Sequence, residues 1–518
     1  MSEYPLVSVN LLSANISTTL DDRSILIVGQ KISGSATSGE LKQVLTKQDL
    51  INYFGASSHL TIAGKSLFDT LSISSIKPKV SAIGLDDNAS GSFATGSFAI
   101  SGTATESGKL TFYINSIKNG AVDIAIASGD SAVAIATKLD TAINGLVGCP
   151  VSSVLATSTT NLTAKNKGLV GNDIGLKVAG SVAGISVVIT AMNGGAGIPN
   201  ITGLFDSIVN SKQRFTTIIY PAEYTLSILT QLTESRFNVD NQVIDGVGLI
   251  TKTDTYANNN SFLDGLNLKT LIVNCNNKIS TAKHKGGAIF EHNLTISAVI
   301  GAIRELRLTV GSNITKIMSN NETAGGSYNA AIPYFNTIAL ELPVIEIGND
   351  YSDEERQELK ASGGSCPTNA SGNFYIEINK QFTTYKLDNS GNVDKTYQSL
   401  NTLDTMSIVR EYIFKSLKAD FPQHSLTQGQ LVSGRKMVNK TSFIASLANY
   451  YIELSGIGGG NNQYALLPND NVILEAFKSY IEKNIVIDLQ NGKITAEVIT
   501  AIVTQLEQII LNIIPQFN

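Results

Sequence analysis

A chain of 518 residues is longer than one hydrophobic core usually serves, so about two to four domains of roughly 100–200 residues each are expected. Only 16% of the residues are charged, below the usual ~25%, and the net charge is −5. Scattered Lys and Arg with an acidic balance exclude the broad basic field that nucleic acid needs, and a surface rich in hydroxyls and amides suits wide protein contacts.

Residues 1–20 place Leu6, Val7 and Val9 among Ser and Asn with no helical period, which reads as an extended arm. Arg23 to Gln30, RSILIVGQ, is a compact apolar run expected to form a strand buried on both faces. Helical character follows at 38–53 and 65–72, so residues 21–85 read as the first α/β part of a core.

From Asp86 to residue 200 the composition shifts to Gly, Ser, Thr, Ala and Val, the mark of a separate β-rich unit. Strand-like runs at 110–117 and 121–127 flank Asn119-Gly120, a dipeptide suited to a type I′ hairpin. A helix is expected at 131–144, capped by Asp130 and ended by Gly145. Further strands are expected at 151–155, 161–164, 175–178 and 185–190, with MNGGAGIP (192–199) closing the unit. Residues 201–350 alternate again, with strands at 216–220 and 271–274 and helices at 224–238 and 297–308. The β-rich unit therefore reads as an insertion in an α/β core.

Ser352-Asp353-Glu354-Glu355 forms a capping box for a short helix ended by Gly363-Gly364. Phe374, Ile376, Ile378, Tyr385 and Leu387 then suggest a strand over 373–387. Asp388 to Asn392 suggests a turn. Met406, Val409, Ile413 and Leu417 suggest a helix, with Asp404 as N-cap and Pro422 beyond its end. Residues 351–505 read as a C-terminal core domain with a helix at 442–454. A hairpin is signalled by Asn491-Gly492 between the run of Ile485 and Ile487 and the run 493–499, although the latter run fits a helix equally well. In 506–518, Ile509, Leu511 and Ile513 fall at period two, a terminal strand arm.

Chemical motifs fail one by one. Gly64-Lys65-Ser66 lacks the first glycine of a phosphate loop, since His59 stands there. No Gly-x-Ser-x-Gly elbow occurs, and Glu291-His292 has no second histidine at metalloprotease spacing. His59, His284, His292 and His424 read as surface or hydrogen-bonded residues. The glycine runs at 194–197 and 456–460 read as linkers. Cys149, Cys275 and Cys366 are far apart in sequence and read as thiols of a reducing compartment. The opening residues lack a basic leader with a long apolar core, and no apolar run reaches membrane-spanning length. The expectation is therefore no catalytic residue, no metal, no cofactor, no signal peptide and no membrane insertion.

Three stretches carry a family resemblance. GSFAISGTATESGKLTFYINSIKNGAVDIAIASGDSAVAIATKLDTAING followed by LTAKNKGLVGNDIGLKV, then YSDEERQELKASGG, then FTTYKLDNSGNVDKTYQSLNTLDTMSIVREYI, are similar in content and order to contractile bacteriophage tail sheath proteins of the Mu-like group. The resemblance implies an α/β and α+β multidomain fold: an α/β sheath core, an inserted β-rich outer domain, a C-terminal core domain facing the tube, and extended N- and C-terminal arms. It implies a non-enzymatic subunit assembled in the host bacterial cytoplasm and housed in the virion tail. Such subunits are homo-oligomers that stack as hexameric rings around the tail tube protein, meet baseplate and tail terminator proteins, and contract to drive the tube through the host envelope. Arms add strands to neighbouring subunits; Leu6, Val7, Val9, Ile509, Leu511 and Ile513 are the matching arm residues, and the hairpin with Ile485 and Ile487 is the expected dock. Rival readings are a tail tube, fibre or adhesin subunit, suggested by the Ser/Thr/Gly-rich insertion, and an α/β hydrolase, suggested only by alternating elements.

Overall fold

A computed structural model describes residues 23–73, 77–211, 213–237, 245–309, 337–344, 348, 350–369, 375–378, 380–455, 467–490 and 492–498. The expected arms at 1–20 and 506–518 lie outside the described residues, as does the glycine run at 456–460.

β1 (Ser24–Gln30) is buried along its whole length. The segment expected as one helix divides into β2 (Leu41–Val44) and α1 (Lys47–Phe54), because Thr46 supplies a capping box with Asp49 and the helix starts there. α2 (His59–Leu71) is capped by Ser58. Its Gly64 packs on Leu50, where an added Cβ would come within 2.7 Å of a Leu50 methyl, so Gly64-Lys65-Ser66 belongs to helix packing. β3 (Lys79–Leu85) follows.

The next stretch comprises β4 (Phe93–Gly102), β5 (Gly108–Ile114), β6 (Ala121–Ile126), α3 (Ala132–Gly145), β7 (Val151–Ala156), β8 (Thr159–Lys167), β9 (Leu176–Ala179) and β10 (Ile185–Asn193). β5 and β6 do pair, with Tyr113 opposite Ala121. Their connection spans 115–120, with Asn115 at φ 63, rather than two residues at Asn119-Gly120. The cap of α3 is Ser131, whose Oγ accepts from the Ala134 amide at 3.2 Å. Asp130 instead accepts from the Ala127 amide and pairs with Lys138. Buried residues between 94 and 192 form one cluster, with Phe98 edge-on to Phe112 at 5.1 Å.

The chain continues through α4 (Asp206–Ser211), β11 (Thr217–Ile219), α5 (Leu226–Arg236), β12 (Val247–Asp254), α6 (Tyr256–Asp264), β13 (Leu271–Ser280), β14 (His284–Gly287) and α7 (Asn293–Thr309). It ends through β15 (Thr337–Pro343), α8 (Asp353–Ala361), β16 (Gly364–Ser365), β17 (Tyr375–Ile378), α9 (Leu400–Asp420), β18 (Ser425–Leu426), β19 (Met437–Val438), α10 (Lys440–Ser455), α11 (Asn471–Lys483), β20 (Ile485–Asp488) and β21 (Lys493–Ala496).

Strands β3, β1, β11, β12 and β13 lie side by side and parallel, with β2 antiparallel at the edge. Beyond residue 277 β13 pairs antiparallel with β14, and the sheet curls on through β9, β5 and β6. A second sheet, β10-β4-β8-β7, lies in the same β-rich stretch.

Helix α7 is buried on two faces. Leu294, Ala298, Ala302 and Leu306, at four-residue spacing, join the cluster with α2 and β1, while Ile296, Val299, Ile300 and Ile303 join one with β12, β15 and β17. Gly301 sits against β11, where a Cβ would lie 3.1 Å from Thr217 Cγ2.

Among the described residues the strand expected over 373–387 forms as β17; Gln381, Thr383 and Thr384 are fully buried but lie outside it. They form a seam instead: the Thr384 amide donates to Leu271 O at 3.0 Å, the Thr383 amide to Gln398 O at 2.8 Å, and the Phe382 amide to Ser365 Oγ at 2.8 Å. The turn at Asp388 forms, its carboxylate accepting from the Ser390 and Asn392 amides, with Gly391 at φ 83. α9 begins a turn earlier than expected, with Ser399 at its N-cap, because Leu400 and Leu403 are drawn into the α7 cluster. Asp404 is therefore a buried residue inside the helix, not its cap.

Candidate functional site

Three features bear on function: the crevice at the carboxyl ends of the parallel strands, the joint between α7 and α9, and the hairpin β20–β21.

In an open parallel sheet, ligands favour the crevice where strand order reverses, here between β1 and β11. The β-rich stretch fills that crevice. Gln30 Nε2 donates to Asp87 Oδ1 at 2.5 Å and to Lys167 O at 2.7 Å, and Asp87 Oδ2 accepts from the Lys167 amide at 2.7 Å. Nearby, His292 Nε2 lies 3.2 Å from Val170 O, and Asn293 donates to Asp173 Oδ2 at 2.9 Å. His59 and His292 stack with ring centroids 4.3 Å apart, both buried. His284 is buried too, its Nε2 3.2 Å from Gly287 O. Three of the four histidines are thus core residues; His284 and His292 are hydrogen-bonded, as expected, whereas neither ring nitrogen of His59 has a hydrogen-bond partner. Burial pushes His59 well below the ordinary histidine value and lowers His292 as well. Burial raises the carboxyls: Glu223 is pushed up to about 8, helped by the nearby Asp173, and Glu291 to about 7.

The glycine run at 194–197 is ordered rather than a loose linker. Asn172 bonds both the amide and the carbonyl of Gly195 at 2.9 Å, and Ala196 bridges to Ser92.

The second feature is a buried ionic joint. Arg304 on α7 donates to Thr216 O at 2.9 Å and Glu305 Oε1 at 2.6 Å, and pairs with Asp404 on α9. Arg23 lies 3.6 Å from the other Glu305 oxygen. Further along α9, Glu411 accepts from Arg214 at 2.7 Å, and Arg410 pairs with Asp245 at 2.9 Å. Apart from Asp404, which reads as a cap, side chains to which the sequence reading gave no role therefore clamp α9 to the sheet. The available signal was Arg304-Glu305, a charged pair directly after the apolar run ISAVIGAI.

The hairpin is the one expected contact feature within the described residues. Ile485 pairs with Ala496 and Ile487 with Ile494, and Gly492 takes φ 61 in the turn. Ala496 packs against the α9–α10–α11 cluster, and by register Ile485, Ile487 and Ile494 share its face. Val486 points the other way, 65% exposed, with Leu489 at 47% nearby. Among the described residues neither outer edge of this two-stranded ladder is paired. Leu6, Val7, Val9, Ile509, Leu511 and Ile513 lie outside the described residues, so they are not placed against it.

Among the described residues no group of three or more His, Cys, Asp and Glu side chains is placed to hold a metal ion, and no helix is long and apolar enough to cross a membrane.

No protein-family model matches the chain. A curated relative, the Mu-like prophage FluMu tail sheath protein of Haemophilus influenzae, is 27% identical over 416 residues, covering 78% of this chain and 76% of the relative. This chain is similar in sequence to a Mu-like tail sheath protein. Among solved structures, the sheath tail protein of Desulfitobacterium hafniense aligns over 94% of this chain and 95% of its own, with a TM-score of 0.45 and 11% identity. A chain of the anti-feeding prophage baseplate aligns over 100% of both, with a TM-score of 0.45 and 10% identity. The identification rests on the sequence relation.

Proposed function

We propose that the protein is the sheath subunit of a contractile phage tail, stacking as hexameric rings around the tail tube and contracting to drive the tube through the host envelope. The observation that carries this reading is the sequence relation to a tail sheath protein across three quarters of both chains. In this reading residues 86–200 are an outer domain inserted between core parts 21–85 and 201–350, and 351–505 face the tube. The subunit is assembled in the host cytoplasm, contacts tube, baseplate and terminator proteins, and binds neither nucleic acid nor membrane.

The arms at 1–20 and 506–518 add strands to neighbouring subunits, and the hairpin with Ile485 and Ile487 receives one. Its unpaired edges among the described residues, and the apolar period of Ile509, Leu511 and Ile513, support that docking. Backbone pairing at a flexible joint keeps a lattice connected while subunits rotate. Electron microscopy of the purified protein tests the reading: helical tubes are expected, and a discrete monomer at high concentration overturns it. Deleting 1–15 or 506–518 is expected to abolish tubes while leaving the circular dichroism spectrum and melting of the subunit intact. Normal tubes from either truncation would reject the arm assignment.

A further inference from the structure

Cys275 and Cys366 are remote in sequence but adjacent in the fold. β13 and β16 run parallel, with Val273 opposite Gly364 and Asn274 opposite Ser365. Continuing that register by one residue past the end of β16 sets Cys275 opposite Cys366, and the two thiols are hydrogen-bonded. Both side chains enter the same core cluster, beside Leu263, Tyr351 and Leu359, whereas Cys149 belongs to another cluster. A Cβ on Gly364 would come 3.1 Å from Cys275 Sγ, so the glycine leaves the space in which that sulfur lies against the β16 backbone. Opposed residues on neighbouring strands have Cα atoms about 5 Å apart, inside the roughly 4.4–6.8 Å window of a disulfide. Cys275 is 1% exposed and Cys366 8%. A hydrogen bond with Cys366, and then burial, hold the Cys275 thiol well above its ordinary value.

We propose that Cys275 and Cys366 are a latent redox pair that a small peroxide closes into a disulfide, pinning the segment after α8 to the central sheet. Entry is through Cys366, the more exposed of the two residues. It gives up its proton and attacks one peroxide oxygen; the O–O bond breaks, leaving a sulfenic acid and, with the proton, one water. Cys275 then attacks the sulfenic sulfur. The S–S bond forms, the S–O bond breaks, and hydroxide leaves with the Cys275 proton as a second water. Two thiols lose two electrons and the peroxide gains them. The hydrogen bond with Cys366, and then burial, keep Cys275 protonated and unreactive on its own, so it acts only once its neighbour is oxidised. The closed loop holds β14, α7, β15 and α8 and so restricts the unfolded chain.

The test uses the full chain, folded, treated with hydrogen peroxide. Remaining thiols are alkylated in acidic denaturant, and the digest is mapped by mass with and without reductant. The expected result is a peptide pair joining Cys275 to Cys366, two hydrogens lighter than the separate peptides and absent after reduction, with Cys149 alkylated. The unfolding midpoint of the oxidised protein is expected to rise by about 5 °C and to return with dithiothreitol. Cys366→Ser should lose both the cross-link and the shift; should that variant fold poorly, the oxidised and reduced wild type still decide the matter. The proposal is overturned if Cys275 and Cys366 are both alkylated after treatment, if Cys366 runs on to sulfinic acid without a cross-link, if Cys149 is the partner, or if the cross-link leaves the midpoint unmoved.

Discussion

The Arg304 guanidinium meets Thr216 O, Thr217 Oγ1, Glu305 and Asp404 inside the protein, with 4% of its side chain exposed. Removing one partner of a buried pair strands the other charge, which costs about 3–5 kcal/mol, whereas replacing both by apolar groups is often close to neutral. Asp404→Asn is therefore expected to lower stability by about 3 kcal/mol. The double change Arg304→Met with Asp404→Leu should cost less than the two single changes added together; chemical denaturation of the four proteins measures this, and strict additivity would deny the coupling. A second residue-scale prediction concerns pH. Glu223 and Glu291 have folded values raised to about 8 and about 7, so the folded state holds protons that the unfolded chain releases above its ordinary carboxyl value. Their contribution is full at low pH and is lost as pH rises towards 8. His59 and His292, held low by burial, act in the other direction and weaken the fold as pH falls below the ordinary histidine range. Melting temperature should thus fall between pH 7 and 8 and level off above that, and Glu223→Gln, which keeps the neutral shape, should flatten that fall by several degrees; an unchanged slope would clear Glu223 of the effect. Neither site is visible in sequence. Asp404 reads as a cap because its ion-pair partner is a hundred residues away, and burial of His59 depends on His292 arriving from the other side of the core.

Elements fixed by local chemistry were legible. The capping box at Ser352–Glu355 forms as read, with the Ser352 and Glu355 side chains bonding each other's amides, and the 388–392 turn follows from an Asp, an Asn and a Gly in sequence. Elements fixed by distant partners were not. β12 and α6 have no reading in the sequence, since VGLITKTD loses its apolar run midway and YANNNSFLD has few apolar positions; α6 is anchored instead by Asn259, fully buried and bonded to the Tyr351 hydroxyl at 2.7 Å. The hairpin β20–β21 is legible because Asn491-Gly492 marks its turn, though its role depends on what lies outside the subunit. Val486 is the element-scale probe. It is 65% exposed, so Val486→Lys should change the subunit's stability by under about 0.5 kcal/mol. The same change should raise the concentration needed for tube formation if a neighbouring arm packs on that face, as read by light scattering; equal assembly thresholds would remove Val486 from the contact.

At the scale of the whole molecule, the clusters around α7 and α9 share helices: α9 gives Leu400 and Leu403 to the α7 cluster, and Ile408, Val409 and Tyr412 to the one with α10 and α11. With the ionic joint between them, the parallel sheet and the C-terminal helices are tied into one body, and the hairpin stands at its margin on a ladder of two strands among the described residues. An isolated pair of strands is marginal in water, because each has one side of its backbone open to solvent. This predicts a contrast in amide hydrogen exchange. In the isolated subunit, β20 and β21 should exchange fast while β1, β11, β12 and β13 exchange slowly. On assembly the core strands should keep their rates, since the body does not refold, and the hairpin should slow by at least tenfold as its open edge gains a strand. Equal hairpin rates in subunit and tube would place the dock elsewhere, and slowed exchange spread evenly over the core would mean that assembly reshapes the body instead of joining rigid bodies by their edges.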